Sequence, residues 1–333
     1  MAKLRFGIIG CGDIAANSFA PSLLKSAEAE LVAVCRRDLE KARAFAKRFG
    51  DCAAYASAEE LLRDPAVEAV VVATPTDTHC SSTLAAARQG KHVLCEKPMA
   101  HNAAECRSMI ETCRQAGVRL GVAYRRRLFP QVLKAKELIA QGRLGRLVCV
   151  RTHYSGWSPM APGNWRITPG IGGAMMEMAV HRIEVLLHFA GQPTEVSALM
   201  ESVHHGWPVD DSDALLLRFA DGKIGMHSTI LTSPPRRDMV QIDGSEGRIL
   251  IDSLEFGSTQ LRYENATASE QIAVTPLESP YFDLPMIDDF VQAVRQGREP
   301  VCDGLAGYWT QAVVDAARQS AAQQRAAKVE PWT

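Results

Sequence analysis

The chain has 333 residues with 37 basic and 38 acidic side chains, so its near-neutral balance offers no field for nucleic acid or an anionic membrane and leaves a small molecule as the expected partner. That length exceeds one ordinary core and predicts two domains. No apolar run reaches membrane-spanning length, and the few residues from Met1 to the first glycine turn leave no room for a leader, which together predict a cytosolic protein.

The chain opens on Leu4 to Ala16, LRFGIIGCGDIAA. Phe6, Ile8 and Ile9 suit a buried strand, and Gly10 to Asp13 turn it into a helix that continues to about Lys25. A strand, a glycine turn and a helix form a phosphate cradle. Gly10 permits the tight turn, Gly12 lets backbone approach a pyrophosphate, and the new helix presents free N–H groups to the anion. Ala15 stands at the third glycine position, a replacement the fingerprint permits. Such a turn can also serve only to pack a helix on a strand, but its place at the head of a βαβ-like run favours the cofactor reading.

Strand and helix signals then alternate. Glu30 to Cys35 reads as a strand, followed by a helix that Asp38 caps and that carries Ala42, Phe45, Ala46 and Phe49 on one face. Ser57 to Glu60 and Asn102 to Glu105 fit the capping box. Between them lie a continuous apolar strand, Val67 to Ala73, a polar turn, Thr74 to Thr78, a helix to Gln89 and a strand, His92 to Cys95. A last strand, Val118 to Val122, closes the region near Ala123. Buried strands alternating with helices predict an α/β Rossmann domain, a doubly wound parallel sheet, over residues 1–123.

Residues 124–333 change pattern. A helix from about Pro130 to Gln141 leads to a strand, Leu147 to Tyr154, and a Trp-, Pro- and Gly-rich loop, Gly156 to Gly173. A helix from about Ala174 to Phe189 precedes strands near Glu195–Val203, Ala214–Ala220, Lys223–Thr232, Met239–Ile242 and Arg248–Ile251. Asp221-Gly222 marks a hairpin, so strands joined this tightly are antiparallel. Two helices, about Asp283 to Gln296 and Leu305 to Ala327, end the chain. This half is α+β with a large open-faced, mostly antiparallel sheet. The nine cysteines are an odd number without any CxxC, so they read as small buried hydrophobes rather than disulfides or a zinc site.

Two short stretches carry candidate chemistry. Glu96-Lys97-Pro98 follows the fifth strand at its carboxyl end, the edge where ligands bind in open α/β sheets. Glu177 and His181 are four apart, so on a helix they share a face, and an imidazole held by a carboxylate is a suitable acid or base at neutral pH. Glu184 and His188 continue that face, but the spacing matches no recognised metal motif, and no metal is expected.

The N-terminal GxGxxA, EKP at 96–98 and GGxxxExxxH at 172–181 together resemble the Gfo/Idh/MocA family of nicotinamide-dependent oxidoreductases. The likeness extends through Thr74-Pro75, Tyr124-Arg125-Arg126, Gly142 to Gly145 and Trp165-Arg166 over nearly the whole chain. It implies a Rossmann domain, a second domain with a large open-faced sheet, and an active site in the cleft between them. In that family Lys97 would hydrogen-bond the reacting oxygen and the cofactor, His181 would take or return the hydroxyl proton, and Glu177 would orient the substrate or the imidazole. The cofactor would meet Gly10, Gly12, Asp13, Ile14, Arg36, Arg37, Thr74, Pro75, His79, Glu96 and Lys97. Tyr124, Tyr154, Trp165 and Arg166 would face the substrate, with Trp157 adding to a dry wall. The family usually has Asp where this chain has Glu177, which leaves open any substrate preference inherited from one member.

At the end of the second strand the chain reads Cys35-Arg36-Arg37, where an acidic residue would bind the adenosine 2′-hydroxyl. Arginine forks bind a 2′-phosphate, so NADP(H) is favoured over NAD(H). The competing reading makes Arg36 and Arg37 a solvated turn and lets Asp38 select NAD. The expected activity is hydride transfer between the nicotinamide and a carbinol or keto carbon of a sugar, cyclitol or similar polyol. Two other readings stay open: a nicotinamide-assisted glycoside hydrolase and a non-catalytic dinucleotide-binding sensor. The open sheet predicts a homodimer or homotetramer.

Overall fold

The computed structural model describes residues 2–254 and 257–332; Met1 and Thr333, the ends of the two expected domains, lie outside them. The chain forms two compact units. The first takes residues up to Ala100, Ala104–Arg125 and Glu278–Tyr308; the second takes His101–Ala103, Arg126–Leu277 and the chain from Trp309 on. Among the described residues no helix is long and apolar enough to cross a membrane.

The first unit holds six parallel strands: β1 (Leu4–Ile9), β2 (Ala29–Cys35), β3 (Ala53–Tyr55), β4 (Ala69–Val72), β5 (His92–Cys95) and β6 (Leu120–Val122). Their order, β3-β2-β1-β4-β5-β6, reverses between β1 and β4. Every residue of β4 is buried, as expected of a strand covered on both faces. The crossover helices are α1 (Ala20–Lys25), α2 (Leu39–Arg48), α3 (Ala58–Arg63), α4 (His79–Arg88) and α5 (Ala103–Gln115). Two of the expected caps act as such: Lys41 N–H donates to Asp38, and Glu60 N–H donates to the Ser57 hydroxyl while the Glu60 carboxylate accepts from Ala56 N–H.

The return of residues Glu278–Tyr308 to this unit differs from the single boundary expected after Ala123. Helix α8 (Leu284–Gln296) buries Met286, Ile287, Phe290, Val291 and Ala293, an apolar stripe at helical spacing. Phe290 meets Phe6 at a ring separation of 6.1 Å, and a Cβ on Gly121 would stand 2.9 Å from the Phe290 ring. Burying Phe290 alone contributes about 1.5–3 kcal/mol, which offsets the cost of bringing the distant segment back.

The second unit is built on nine strands in the order β14-β13-β12-β11-β7-β10-β9-β8-β15. They are β7 (Leu147–Trp157), β8 (Pro193–Glu201), β9 (Ser212–Phe219), β10 (Ile224–Ile230), β11 (Thr232–Gly244), β12 (Arg248–Ile251), β13 (Gln260–Glu264), β14 (Ser269–Ala273) and β15 (Ala327–Lys328). All neighbours are antiparallel except β7 and β10. Three helices complete the fold: α6 (Pro130–Ala140), α7 (Val180–Ala190), and α9 (Gly304–Gln323), which begins in the first unit and runs into the second. In β9, Asp213, Leu215, Leu217 and Phe219 are buried while Ala214, Leu216 and Arg218 are exposed, so one sheet face is covered and the other open. Helix α7 lies on the covered face, where a Cβ on Gly225 would approach Leu186 to 3.0 Å.

Candidate active site

The turn after β1 is shaped by steric exclusion. Gly10 has φ +101°, and a Cβ there would stand 2.7 Å from the Ala73 carbonyl oxygen, so the close pass of the β1 and β4 ends requires glycine. Nothing lies within 4 Å of where a Gly12 Cβ would stand, because that face opens into a cavity of about 700 Å³. The cavity is lined by Gly10 to Gly12, Arg36 to Asp38, Ala56 to Ala58 and Ala73 to Pro75, at the carboxyl edge where the strand order reverses. Asp13 and Ile14 begin the helical run that continues as a π-helical turn, Ala15–Phe19, and as α1. The Thr74 hydroxyl is buried without a hydrogen-bond partner beside this cavity. An open cradle, a helix start and an orphaned hydroxyl at a topological switch point fit a dinucleotide.

Arg36 donates through Nη1 to the Cys11 carbonyl at 2.9 Å, laying its guanidinium across the turn. Arg37 is exposed and forms no ion pair among the described residues. Asp38 is committed elsewhere: it caps α2 through Lys41 N–H at 3.1 Å and pairs with Lys41 Nζ at 3.1 Å, and the Lys41 bonds hold its carboxyl below the usual range. His79 departs from the expected cofactor contact. Its ring is buried, with Nδ1 facing the Pro98 carbonyl and Nε2 the Thr74 carbonyl, each at 2.8 Å. Burial pushes its pKa down against the opposing pull of the two carbonyls, and the ring, which in its neutral form donates to only one of them, lies wedged between the Thr74 turn and the backbone after Lys97.

Lys97 follows β5 and precedes the cis-bonded Pro98. The buried Glu96 carboxylate accepts from Lys97 N–H, and burial raises its pKa to about 7 despite the opposing charges of Lys97 and Arg125. Because this folded value lies above the ordinary glutamate value of 4.5, the folded state keeps the proton longer; the group favours folding at low pH and withdraws that contribution as the pH rises to about 7. Behind it Arg125 donates to Ser18 at 2.7 Å and to the fully buried Asp283 at 2.8 Å.

In the second unit the GGxxxExxxH stretch has a different backbone from the continuous α-helix expected. Met175–Ala179 form a π-helical turn that passes into α7 at Val180. Such turns occur often at functional sites. A Cβ on Gly172 would fall 1.8 Å from the Arg166 carbonyl oxygen, so the two segments touch through backbone, and Gly173 N–H donates to that same oxygen at 2.9 Å. Arg166 Nε donates to Glu177 at 3.1 Å, and its guanidinium lies 4.5 Å over the Trp165 ring. His181, one turn beyond Glu177, is buried. Glu184 and His188 serve a contact with other segments: Arg127 donates to Glu184, and Lys136 donates to the His188 carbonyl at 3.2 Å. Burial and the Arg127 and Lys136 charges push His188 down to about 3, so it stays neutral.

Residues 4–124 match the model of an oxidoreductase family with an NAD-binding Rossmann fold, and residues 132–250 match that of the GFO/IDH/MocA C-terminal domain. A 1,5-anhydro-D-fructose reductase of Ensifer adhaerens is 30% identical over 334 residues, spanning 98% of each chain. The chain belongs to the Gfo/Idh/MocA family of NAD(P)-dependent oxidoreductases. A trans-1,2-dihydrobenzene-1,2-diol dehydrogenase of Mus musculus is 34% identical over 258 residues, 75% of each chain. Among solved structures, an aldose-aldose oxidoreductase from Caulobacter crescentus complexed with glycerol superposes with a TM-score of 0.90 at 25% identity, covering 98% of this chain and 100% of that one.

The remaining residues expected to face substrate in this Gfo/Idh/MocA oxidoreductase divide by exposure. Tyr124 and Tyr154 are almost wholly buried, and the Arg182 and Arg236 guanidinium groups stand 4.3 and 5.5 Å from the Tyr154 ring centre. Trp165 and Trp157 are well exposed. Trp157 packs against His204 and His205 at 5.3 and 5.1 Å, and His205 stacks on Trp207 at 4.4 Å, an aromatic wall whose two histidines the sequence reading did not single out. Also unnoticed were Asp210, at the start of the helical run, and the buried Arg182–Asp238 pair beneath it. Only their position immediately before a strand and beside His181 could have flagged them.

Proposed function

We propose that the chain transfers a hydride between NADP(H) and a carbinol or keto carbon of a sugar, cyclitol or similar polyol. The relatives act, by their names, on an anhydro-sugar, a cyclic diol and aldoses. The observation that carries the cofactor preference is the Arg36-Arg37-Asp38 edge: an acidic residue that would repel a 2′-phosphate is occupied as a helix cap, while Arg37, exposed and without an ion pair among the described residues, lines the cavity. When bound, the nicotinamide supplies the hydride acceptor or donor. Lys97 then hydrogen-bonds the reacting oxygen, His181 takes or returns the hydroxyl proton, and Glu177, held by Arg166, orients the substrate or the imidazole.

The test offers NADP and NAD in parallel with aldoses, ketoses and cyclitols and follows nicotinamide absorbance. Turnover favouring NADP is expected. In Arg36→Asp/Arg37→Ser that preference should fall by about tenfold or more through a weaker NADP complex, each charge-assisted bond contributing about 1.5–3 kcal/mol. An equal loss with NAD would sink the 2′-phosphate argument, and no turnover with any member of the panel would sink the activity.

The open face of the large sheet exposes Leu199 (68%), Leu216 (53%), Ile224 (51%) and Met226. We assign this face to a second copy of the chain, as homodimer or homotetramer, because adjacent apolar side chains on neighbouring strands gain most from pairing with a like surface. Sedimentation at micromolar concentration should show an oligomer that Leu216→Glu weakens; a monomer throughout would remove the assignment.

A further inference from the structure

We propose that Asp210 is a positioning residue for hydride transfer, seating the helical run that carries Glu177 and His181; this rests on the activity proposed above. The π-helical turn Met175–Ala179 has no side-chain cap from its own Ala174, and helix starts leave their first N–H groups without intrahelical partners. Asp210, thirty-five residues beyond Met175 in the chain, supplies acceptors for two of them. Its carboxylate accepts from Met175 N–H at 2.7 Å, and its carbonyl accepts from Ala174 N–H at 2.8 Å. The other carboxylate oxygen occupies the space beside Gly173: a Cβ on that residue would stand 2.2 Å from it, and the glycine has φ +100°. The second glycine of the GG pair is thus the seat of Asp210 rather than only a flexible link.

Asp210 is itself held firmly. Asp211 accepts from Val203, His204 and His205 N–H at 2.9, 2.9 and 2.8 Å, and Asp211 N–H donates to the Glu201 carbonyl at 2.9 Å, tying the loop before β9 to the end of β8. The groups facing Asp210 are the Met175 amide, the Arg318 guanidinium, which favours its charge, and the Asp211 and buried Asp213 carboxyls, which oppose it. Burial raises the carboxyl to about 6, so it is ionised at neutral pH and makes a charge-assisted bond to the turn. A π-helical turn has a different residue rotation from an α-helix, so the direction of Glu177 and His181 depends on where that turn begins. A misplacement of about 1 Å at a reacting group costs about a hundredfold in rate.

Asp210→Ala should lower kcat by about a hundredfold while the dinucleotide dissociation constant stays within about twofold, because every residue lining the dinucleotide cavity belongs to the first unit. Asp210→Asn, which keeps the shape and one acceptor, should recover a large part of that loss and serves where the alanine variant folds poorly. Amide hydrogen exchange, which needs no substrate, should quicken at residues 174–181 in both variants, more in Asp210→Ala. Unchanged exchange there, or kcat within about twofold of the parent, overturns the proposal; so does a parallel fall in dinucleotide affinity, which marks a general loss of structure. A parent enzyme without turnover overturns the activity, while the exchange result still decides whether Asp210 seats the turn.

Discussion

Asp238→Ala should destabilise the protein by about 3–5 kcal/mol, read as a fall in the urea midpoint at constant slope. Arg182 lies on α7 beside His181 and is fully buried. It meets Asp238 through two contacts, Nε to Oδ1 at 2.9 Å and Nη2 to Oδ2, and donates from Nη1 to the Met178 carbonyl at 3.1 Å. The Tyr154 ring lies 4.3 Å beneath the guanidinium, and Tyr154 and Asp238 are cross-strand partners on β7 and β11. A guanidinium does not deprotonate inside a protein, so removing Asp238 leaves a buried charge without its partner carboxylate. That penalty is a large share of the about 5–15 kcal/mol by which folded domains are stable. The paired change Arg182→Met/Asp238→Leu removes both charges and should recover most of the loss, because the pair's mutual attraction is largely spent on desolvation. A single Asp238→Ala within about 1 kcal/mol of the parent would show that water reaches the pair.

The Rossmann half was legible because its strands are buried on both faces and its helices carry cap chemistry. The segments around β1, β2, β4 and β5 are short apolar runs bounded by turn residues, and Asp38 and Ser57 cap where the pattern placed them. Register and edges were not legible. β14, SEQIA, is almost wholly exposed, and β13 alternates only Leu261 and Tyr263 inward among polar residues, so neither has an apolar signature. The sequence places one strand near Lys223–Thr232 and the next near Met239–Ile242; the structure instead breaks at Leu231 and carries β11 through the prolines at 234 and 235, where the β7 pairing shifts register between Thr232 and Arg237. The sequence places the final helix at about Leu305 to Ala327, yet it ends at Gln323, and Gln324 takes a positive φ that admits the short strand β15.

The site was legible as motifs and illegible as supports. Gly10, Gly12, Thr74 and Pro75 come together at the cavity because turn chemistry is local. The family resemblance places His79 at the cofactor, but its ring is buried and turned inward between two backbone carbonyls. Asp210 and Asp238 could not be found by spacing, since each acts on a helix 35 and 56 residues away in the chain. A sequence motif names the groups that touch ligand; the groups that aim them come from the strands the helix packs on.

His181→Ala should lower kcat by about 10²–10⁴-fold while leaving dinucleotide affinity within about twofold. An alcohol cannot give up hydride efficiently unless its hydroxyl proton leaves in the same passage, and a keto carbon cannot receive one unless its oxygen gains a proton, so the group that handles that proton acts in both directions. His181 sits at the second residue of α7, one turn after Glu177, on a helix fixed to the sheet at Arg182 and seated at its start by Asp210. None of the residues lining the dinucleotide cavity lies on that helix, so a change confined to the imidazole should be silent in cofactor binding. Lys97→Ala should behave differently: it follows the strand edge of the same unit as the cavity and is assigned to both oxygen and cofactor, so it should reduce kcat and weaken the dinucleotide complex together. Stopped-flow single turnovers with a substrate deuterated at the carbinol carbon separate the two, since loss of the proton acceptor slows the isotope-sensitive step itself. Equal falls in kcat and cofactor affinity for His181→Ala would instead make the imidazole a structural group of the helix, and the proton would have to be carried by another residue.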